Sequence, residues 1–400
     1  MPHLRPRYLE SALKKSLKFS PLVGLVGHRQ VGKTTLGNQI TPNYFSMDLR
    51  TTLDRVSLDP LGFLESQDRF PTILDECQQA PDLFPALKEY VRRNPQPGRF
   101  LLTGSVRFTS RKAIRESLTG RIINLELYPM SVSEIKELEN PNSLIRLSHA
   151  LDWVKKAKPP RFQPGLISEY LERGGLPGIF AIRDSTLRHQ KISTQLETIL
   201  DRDLRLLLDT SLSFSTLRNV LRYLATHQGD ALKVTQIARA TRVSRPTLQK
   251  LLLAFEGLFL IRPMAVEGGT ASKIYFLEDQ AEASLLIGPR RDPLFDLTRF
   301  LYANLRIQIC TRPEIQSESF RFETRGGSLV PLAYRIDGKE IGIIPVLEQS
   351  PNKSAFASAL SFLKKYPHGR IAFIRLRGQN ELLAKNMAIL SVETIIFGAL

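Results

Sequence analysis

The chain has 400 residues, 42% of them hydrophobic, which suffices for two to four domains with a core in each and excludes a fibrous or disordered class. No apolar run approaches the ~18 residues of a membrane-spanning helix, and the best candidate, "LLLAFEGLFLI", is short and carries Glu256. Lys and Arg number 56 against 39 Asp and Glu, a net of +17; this is either an electrostatic footprint for polyanions, nucleic acid first, or a solubility device alone.

In chain order, the first twenty residues are basic and amphipathic without an apolar leader core. They read as a surface helix, with a transit peptide as the lesser alternative. The apolar run "LVGLV" (22–26) is a buried strand ended by Gly27, and "YFSMDL", "FPTILDE", "RFLLTGS" and "RIINLEL" are further strands. Helical stretches such as "PDLFPALKEYVRR" lie between them, so the pattern predicts a parallel sheet with helices on both faces, ending near Pro129. From Ser131 to about Leu208 the sequence is helical and charged, broken by the loop "KKAKPPRFQPG" and the turn "RGGLPG". Cys77 and Cys310 form no metal or disulfide pattern, which makes a reducing cytoplasm the expected setting.

Gly27-x-x-x-x-Gly32-Lys33-Thr34 fits the phosphate-binding loop, behind a strand and ahead of a helix as the motif requires. Its glycines let successive backbone N–H groups converge on a phosphate at a helix N-terminus. The candidate nucleotide-binding set is therefore Gly27, His28, Arg29, Gln30, Val31, Gly32, Lys33, Thr34 and Thr35. Lys33 would reach the β- and γ-phosphates and the Thr34 hydroxyl would bind Mg²⁺. Asp75, at the end of "FPTILDE", is placed to hold the same ion, and Glu76 to polarise an attacking water. One apparent strand between Lys33 and Asp75 suits the additional-strand class of P-loop ATPases. "RFLLTGS" offers Thr103 and Ser105; Ser105 is either a γ-phosphate sensor, if its strand lies between the other two, or a strand cap. Arg121, after a helix ending at Gly120, either reaches the γ-phosphate of a neighbouring subunit in a homo-oligomer or is a surface residue.

"GHRQVGKTTL", "ILDECQQAPDLFPALK", "GRFLLTGS" and "ESLTGRIINLELYPMSVSE" resemble the AAA-type ATPases of bacteria and archaea that carry a C-terminal domain of unknown function. "YLERGGLPGIF" and "LDRDLRLLL" resemble that family's connecting region, in Gly174-Gly175-Leu176-Pro177 and Arg202-Asp203. His28 stands where proline is usual and Cys77 where a β-branched residue is usual. The resemblance implies ATP as the nucleotide, Asp75 and Glu76 as the Walker B pair, Ser105 in the sensor position and a functional Arg121.

Three amphipathic helices can be traced in residues 213–264, the second "KVTQIARAT" and the third "SRPTLQKLLLAFEGLFLI", with Ser244 as N-cap and Pro246 just inside. The arrangement predicts a winged helix-turn-helix. Arg242, Arg245, Thr247, Gln249 and Lys250 cluster where such a helix would contact double-stranded DNA; the plainer alternative is packing against other domains. Beyond it, a helix around "DPLFDLTRFLYANL", three strands, a helix and a strand suggest a restriction-endonuclease-like fold, towards which the resemblance also points. Nuclease chemistry there needs an Asp and a Glu-x-Lys around a metal. Asp296 could be the helix acid, but Pro331 stands at the strand-aspartate position, and Leu347 and Gln349 at the Glu-x-Lys positions. Glu348 is one residue out of register, on a strand that would turn it to the opposite face. The expected divisions are a P-loop ATPase domain (1–130), a helical connecting or lid region (131–212), a winged helix (213–268) and a catalytically inactive nuclease-like domain (269–400). The expected whole is an α/β protein, a Mg²⁺-dependent ATPase whose partner is DNA or a protein and not a membrane.

Overall fold

The computed structural model describes residues 4–108, 118–158, 163, 165–268, 272–288 and 292–398. A five-stranded sheet comprises β1 (Leu22–Val26), β2 (Tyr44–Ser46), β3 (Thr72–Asp75), β4 (Phe100–Gly104) and β5 (Ile122–Glu126). It is wholly parallel, in the order β2-β3-β4-β1-β5. Strands β1, β3 and β4 are buried along their whole length, which is why they read as continuous apolar runs. The strand expected over "YFSMDL" is shorter, since the chain leaves the sheet at Met47. β4 lies between β1 and β3, so Gly27, Asp75, Glu76 and Ser105 all follow carboxyl ends at one edge of the sheet. Open α/β sheets bind ligands at this edge. The helix expected ahead of Gly120 falls mostly outside the described residues.

The second sheet has eight strands: β6 (Ile261–Glu267), β7 (Lys273–Leu277), β8 (Ser317–Glu323), β9 (Leu329–Ile336), β10 (Lys339–Val346), β11 (Arg370–Arg375), β12 (Glu381–Ala384) and β13 (Met387–Ser391). Their order is β12-β13-β11-β10-β9-β8-β6-β7, of mixed direction. The helices Pro293–Cys310 and Lys353–Lys365 pack against it. The helix, three strands, helix, strand order anticipated from residue 293 onward is present, extended by β12 and β13.

Two expected divisions do not hold. β6 and β7 form the hairpin behind the three-helix unit, yet β6 also pairs in parallel with β8, Ala265 opposite Phe320. The boundary at 268/269 therefore cuts through one sheet. Residues 131–212 are not one separate lid either. Val132 to Leu171 share a core with Phe300, Tyr334 and Ile395 of the C-terminal part, while Leu176 to Leu204 share one with β1, the P-loop helix Lys33–Ile40 and the three-helix unit. Each half of the segment covers a different apolar face. The three helices are Phe214–Thr226, Val234–Thr241 and Arg245–Gly257. Ser244 caps the third, its Oγ accepting from Thr247 N–H at 3.3 Å. That helix was expected to run on through "LFLI", but Phe259 adopts a left-handed backbone (φ 56°) and the chain turns into β6.

A buried charge network fastens the halves together. Glu278 accepts from Arg262 at 2.7 Å and from both terminal nitrogens of Arg306 at 3.1 Å, and Arg262 also pairs with Glu126 at the end of β5. The Arg107 N–H, two residues after Ser105, donates to the Gly257 carbonyl at 2.8 Å. The strand that carries Ser105 thus abuts the end of the third helix.

Candidate nucleotide site

The loop between β1 and the P-loop helix is built by its glycines. Gly32 has φ 100°, and a Cβ on Gly27 (φ 154°) would lie 2.3 Å from the Leu127 carbonyl oxygen, so neither position accepts a side chain. Arg7 clamps the loop from outside, donating from Nη1 to the Val31 carbonyl at 2.8 Å and from Nη2 to that of Tyr128 at 2.5 Å. Lys33 is buried and donates to the carbonyls of Gly27 and His28, each at 3.0 Å. Burial holds its pKa down against the pull of Glu76 and Asp75. Phosphate oxygens are better acceptors for that ammonium than the loop's own carbonyls.

Asp75 gathers three hydroxyls: Thr34 Oγ1 at 3.0 Å and Tyr44 OH at 2.6 Å donate to Oδ2, and Thr103 Oγ1 donates to Oδ1. Its hydrogen bond and burial push the Tyr44 hydroxyl's pKa up to about 12, burial being the larger cause. Glu76 has a left-handed backbone (φ 54°), an uncommon conformation for a glutamate, and its Oε2 accepts from Ser105 Oγ at 3.2 Å and from Gln78 Nε2. Gln78 also donates to Ser105 Oγ at 3.1 Å. A pocket of about 410 Å³ opens over Gly32, Lys33, Thr34 and Glu76, with Arg7 and Pro177 on its other wall.

His28 belongs to the loop but faces away from the pocket. Its ring is fully buried, with Nε2 3.2 Å from Glu282 Oε2. Burial disfavours the charged ring, but Glu282 outweighs it and the pKa is pushed up to about 9. Asp279 beside it is pushed up to about 6, by burial first and the Glu282 charge second, although it accepts from Gly175 N–H at 2.8 Å. The side chain in the proline position of the resembled family thus ties the loop to the C-terminal part.

Thr34, Asp75, Glu76 and Ser105 come together as the sequence reading required. Arg121 does not join them: it precedes Ile122, which pairs with Leu22 at the amino-terminal end of β1, so it stands at the sheet edge opposite the loop. There its Nη1 donates to the Thr119 carbonyl at 3.2 Å. Arg242, Arg245, Gln249 and Lys250 are exposed and Thr247 is half-buried; the three cations have no ion-pair partner among the described residues. Reasoning from residues alone missed Arg7 and Tyr44, which reach the site from outside the motifs and left no local signal.

The loop, the β4 position and the Asp75–Glu76 pair agree with the family match: residues 20–136 match the AAA domain family. Over these residues the chain is similar to AAA domains and has the P-loop fold. Residues 165–274 match a domain of unknown function, DUF8612, which takes in the connecting helices, the three-helix unit and β6 and ends at the start of β7. Uncharacterized proteins of Mycobacterium bovis and Mycobacterium tuberculosis are each 29% identical over 255 residues, 63% of this chain and 51% of theirs. One from Methanocaldococcus jannaschii is 24% identical over 298 residues, 69% of this chain and 65% of its own. The chain thus spans about half the length of the mycobacterial relatives it matches. Among solved structures, a Walker-type ATPase of Pyrococcus abyssi is 16% identical, covering 71% of this chain and 99% of its own, at a TM-score of 0.43. A signal transduction ATPase with numerous domains from Pyrococcus horikoshii is 12% identical, covering 76% and 46%, at 0.24. No helix among the described residues is long and apolar enough to cross a membrane.

In the C-terminal sheet, a cleft of about 570 Å³ is lined by Pro331, Leu347 and Glu348 among others. Asp296 is not among its lining residues and is bonded to Arg299 at 3.0 Å. The expected turning away of Glu348 is corrected: β10 ends at Val346, so the alternation of a strand no longer governs residue 348. No group of three or more His, Cys, Asp or Glu able to hold a metal occurs among the described residues.

Proposed function

We propose that this chain binds ATP with Mg²⁺ in the 410 Å³ pocket, hydrolyses it, and uses the nucleotide state to control binding of a partner, double-stranded DNA being the first candidate. The observation that carries the reading is the Glu76 carboxylate held by Ser105 and Gln78 beside the bonded Thr34–Asp75 pair. A hydroxyl and a carboxylate oxygen 3.0 Å apart suit a hard cation that keeps waters and takes its remaining ligands from phosphate. Thr34 and Asp75 would hold that ion, which when bound offsets the charge on the β- and γ-oxygens. The N–H groups of residues 27–35 cradle the phosphates, and Lys33 leaves the Gly27 and His28 carbonyls for them. Glu76 orients the water and takes its proton, and Ser105, bonded to Glu76, registers the γ-phosphate.

In a second reading the chain is a DNA-binding regulator and ATP is only a conformational ligand. Arg242, Arg245 and Lys250, exposed and without an ion-pair partner among the described residues, on a unit whose last helical carbonyl accepts from Arg107, support it. Steady-state ATP turnover with and without double-stranded DNA, with Glu76→Gln as blank, separates the two. Turnover that rises with DNA and vanishes in the variant supports the switch. DNA binding unaffected by Glu76→Gln but lowered by Arg245→Ala, with a salt slope smaller by about 1, favours the regulator. Absence of DNA binding at low salt removes both DNA readings and leaves a protein partner. The C-terminal part is proposed to be inactive as a nuclease, since its cleft presents Pro331 and Leu347 where metal-binding acids are needed.

A further inference from the structure

A single π-helical turn, Ile199–Asp203, follows directly on the helix Ser185–Thr198. Such turns recur at functional sites because the wider turn re-aims its side chains. Its last residue, Asp203, is buried, and its two carboxylate oxygens serve two arginines. Oδ2 accepts from Arg29 Nη1 at 2.8 Å and Oδ1 from Arg202 Nε at 3.0 Å. Arg29 belongs to the phosphate loop, so this carboxylate fastens the loop to a segment remote in sequence.

Among the described residues, Arg202 is held through Nε alone. Its side chain is 52% exposed, and its two Nη groups have no partner among the described residues. The charges of Asp48 and Glu76 act on it along with that of Asp203. Because Asp203 binds Arg202 and Arg29 together, the guanidinium lies beside the phosphate loop. A forked cation whose two Nη groups are unbonded among the described residues, preset by a buried acid, is suited to bidentate contact with a phosphoryl group.

We propose that Arg202 is a catalytic residue of its own chain's site, contacting the γ-phosphate, and that Asp203 is the positioning residue that aims it. The inference rests on the ATPase reading above. In the reaction the water oxygen bonds to the γ-phosphorus while the bond from that phosphorus to the β,γ-bridging oxygen breaks. The electron pair leaves on the ADP oxygen, and the water's proton passes to Glu76 and then to phosphate. Arg202 stabilises the negative charge on the transferring group and the bridging oxygen, the part played elsewhere by an arginine finger. Arg121, at the far edge of the same sheet, cannot do this for its own chain.

The test is single-turnover ATP hydrolysis, with equilibrium binding of ATP and ADP, on the full chain carrying Arg202→Ala, Arg202→Lys or Arg205→Ala. In Arg202→Ala hydrolysis is expected to fall ~10³-fold, in the range measured for arginine fingers, with ADP affinity within about twofold of wild type and ATP affinity weakened. Arg202→Lys should recover little, because an ammonium lacks the fork. The exposed Arg205, three residues on, should be indifferent. In a double-mutant cycle, Asp203→Asn should slow hydrolysis alone but add little to Arg202→Ala. Hydrolysis within threefold of wild type in Arg202→Ala, or an equal loss in Arg205→Ala, would overturn the proposal. If the wild-type chain does not turn over ATP, the ATPase reading fails by itself. The loss or retention of ATP-over-ADP preference in Arg202→Ala then still decides the contact.

Discussion

Two of the clefts among the described residues, of about 410 and 570 Å³, lie by the two sheets and differ in how far their side chains converge. At the nucleotide pocket, the P-loop helix and the ends of β3 and β4 deliver Lys33, Thr34, Asp75, Glu76 and Ser105 to one edge of a parallel sheet, where hydrogen bonds already link Thr34 to Asp75 and Ser105 to Glu76. At the C-terminal cleft, the backbone provides a comparable concavity, but Pro331 and Leu347 line it and Asp296 is bonded to Arg299. A fold supplies a place for a site; the convergence of specific groups makes it one.

The largest expected effect tests the first cleft. Glu76→Gln should lower ATP turnover by 10²–10⁴-fold while leaving nucleotide binding intact, because it removes the proton acceptor and little else. Turnover near wild type would detach the carboxylate from the chemistry.

Next come tests of whether the two clefts belong to one body. Glu278→Gln leaves Arg262 and Arg306 buried with a weaker partner and should cost ~3–5 kcal/mol in urea unfolding of the full chain. A cost below about 1 kcal/mol would show that the network does not fasten the halves.

A smaller effect concerns pH. His28 has a folded pKa of about 9, above its unfolded value near 6.5. Its contribution is fully present below pH ~6.5 and lost as pH rises through 9, by at most ~3 kcal/mol. Asp279, raised to about 6, acts in the same direction at lower pH: the folded state holds its proton more tightly, so stability falls as pH rises from about 4 to 6. Thermal unfolding should therefore come at a lower temperature at pH 9.5 than at pH 7, and His28→Gln should flatten that slope. An unchanged slope would remove the His28–Glu282 pair as its source.

The smallest expected effect is none. Incubation of DNA with Mg²⁺ or Mn²⁺ should give no cleavage by the wild-type chain, and Glu348→Ala or Asp296→Ala should change ATP turnover less than twofold. Metal-dependent cleavage abolished by Asp296→Ala would erase the contrast between the clefts.

Much of the first cleft was legible because its residues obey local rules. A phosphate loop is read from glycine spacing, and β1, β3 and β4 from unbroken apolar runs that parallel, doubly covered strands require. The cap at Ser244 was likewise a nearest-neighbour signal. The division into domains was not legible, because whether β6 pairs only with β7 or also with β8 depends on a partner some fifty residues later. The span of the third helix was overread for a related reason. "LFLI" is as apolar as a helix face, and only the turn at Phe259 redirects it into a strand.

The sequence by itself determined the nucleotide loop, the acid pair and the parallel character of the first sheet, since each follows from residue type and spacing within a few turns of chain. Tertiary structure alone decided what surrounds them. It buried His28 against Glu282, set Arg202 and Arg29 on one carboxylate, and placed Arg121 at the far edge. The physical reason is that a buried charge must find its partner wherever the fold supplies one, and that partner can lie hundreds of residues away.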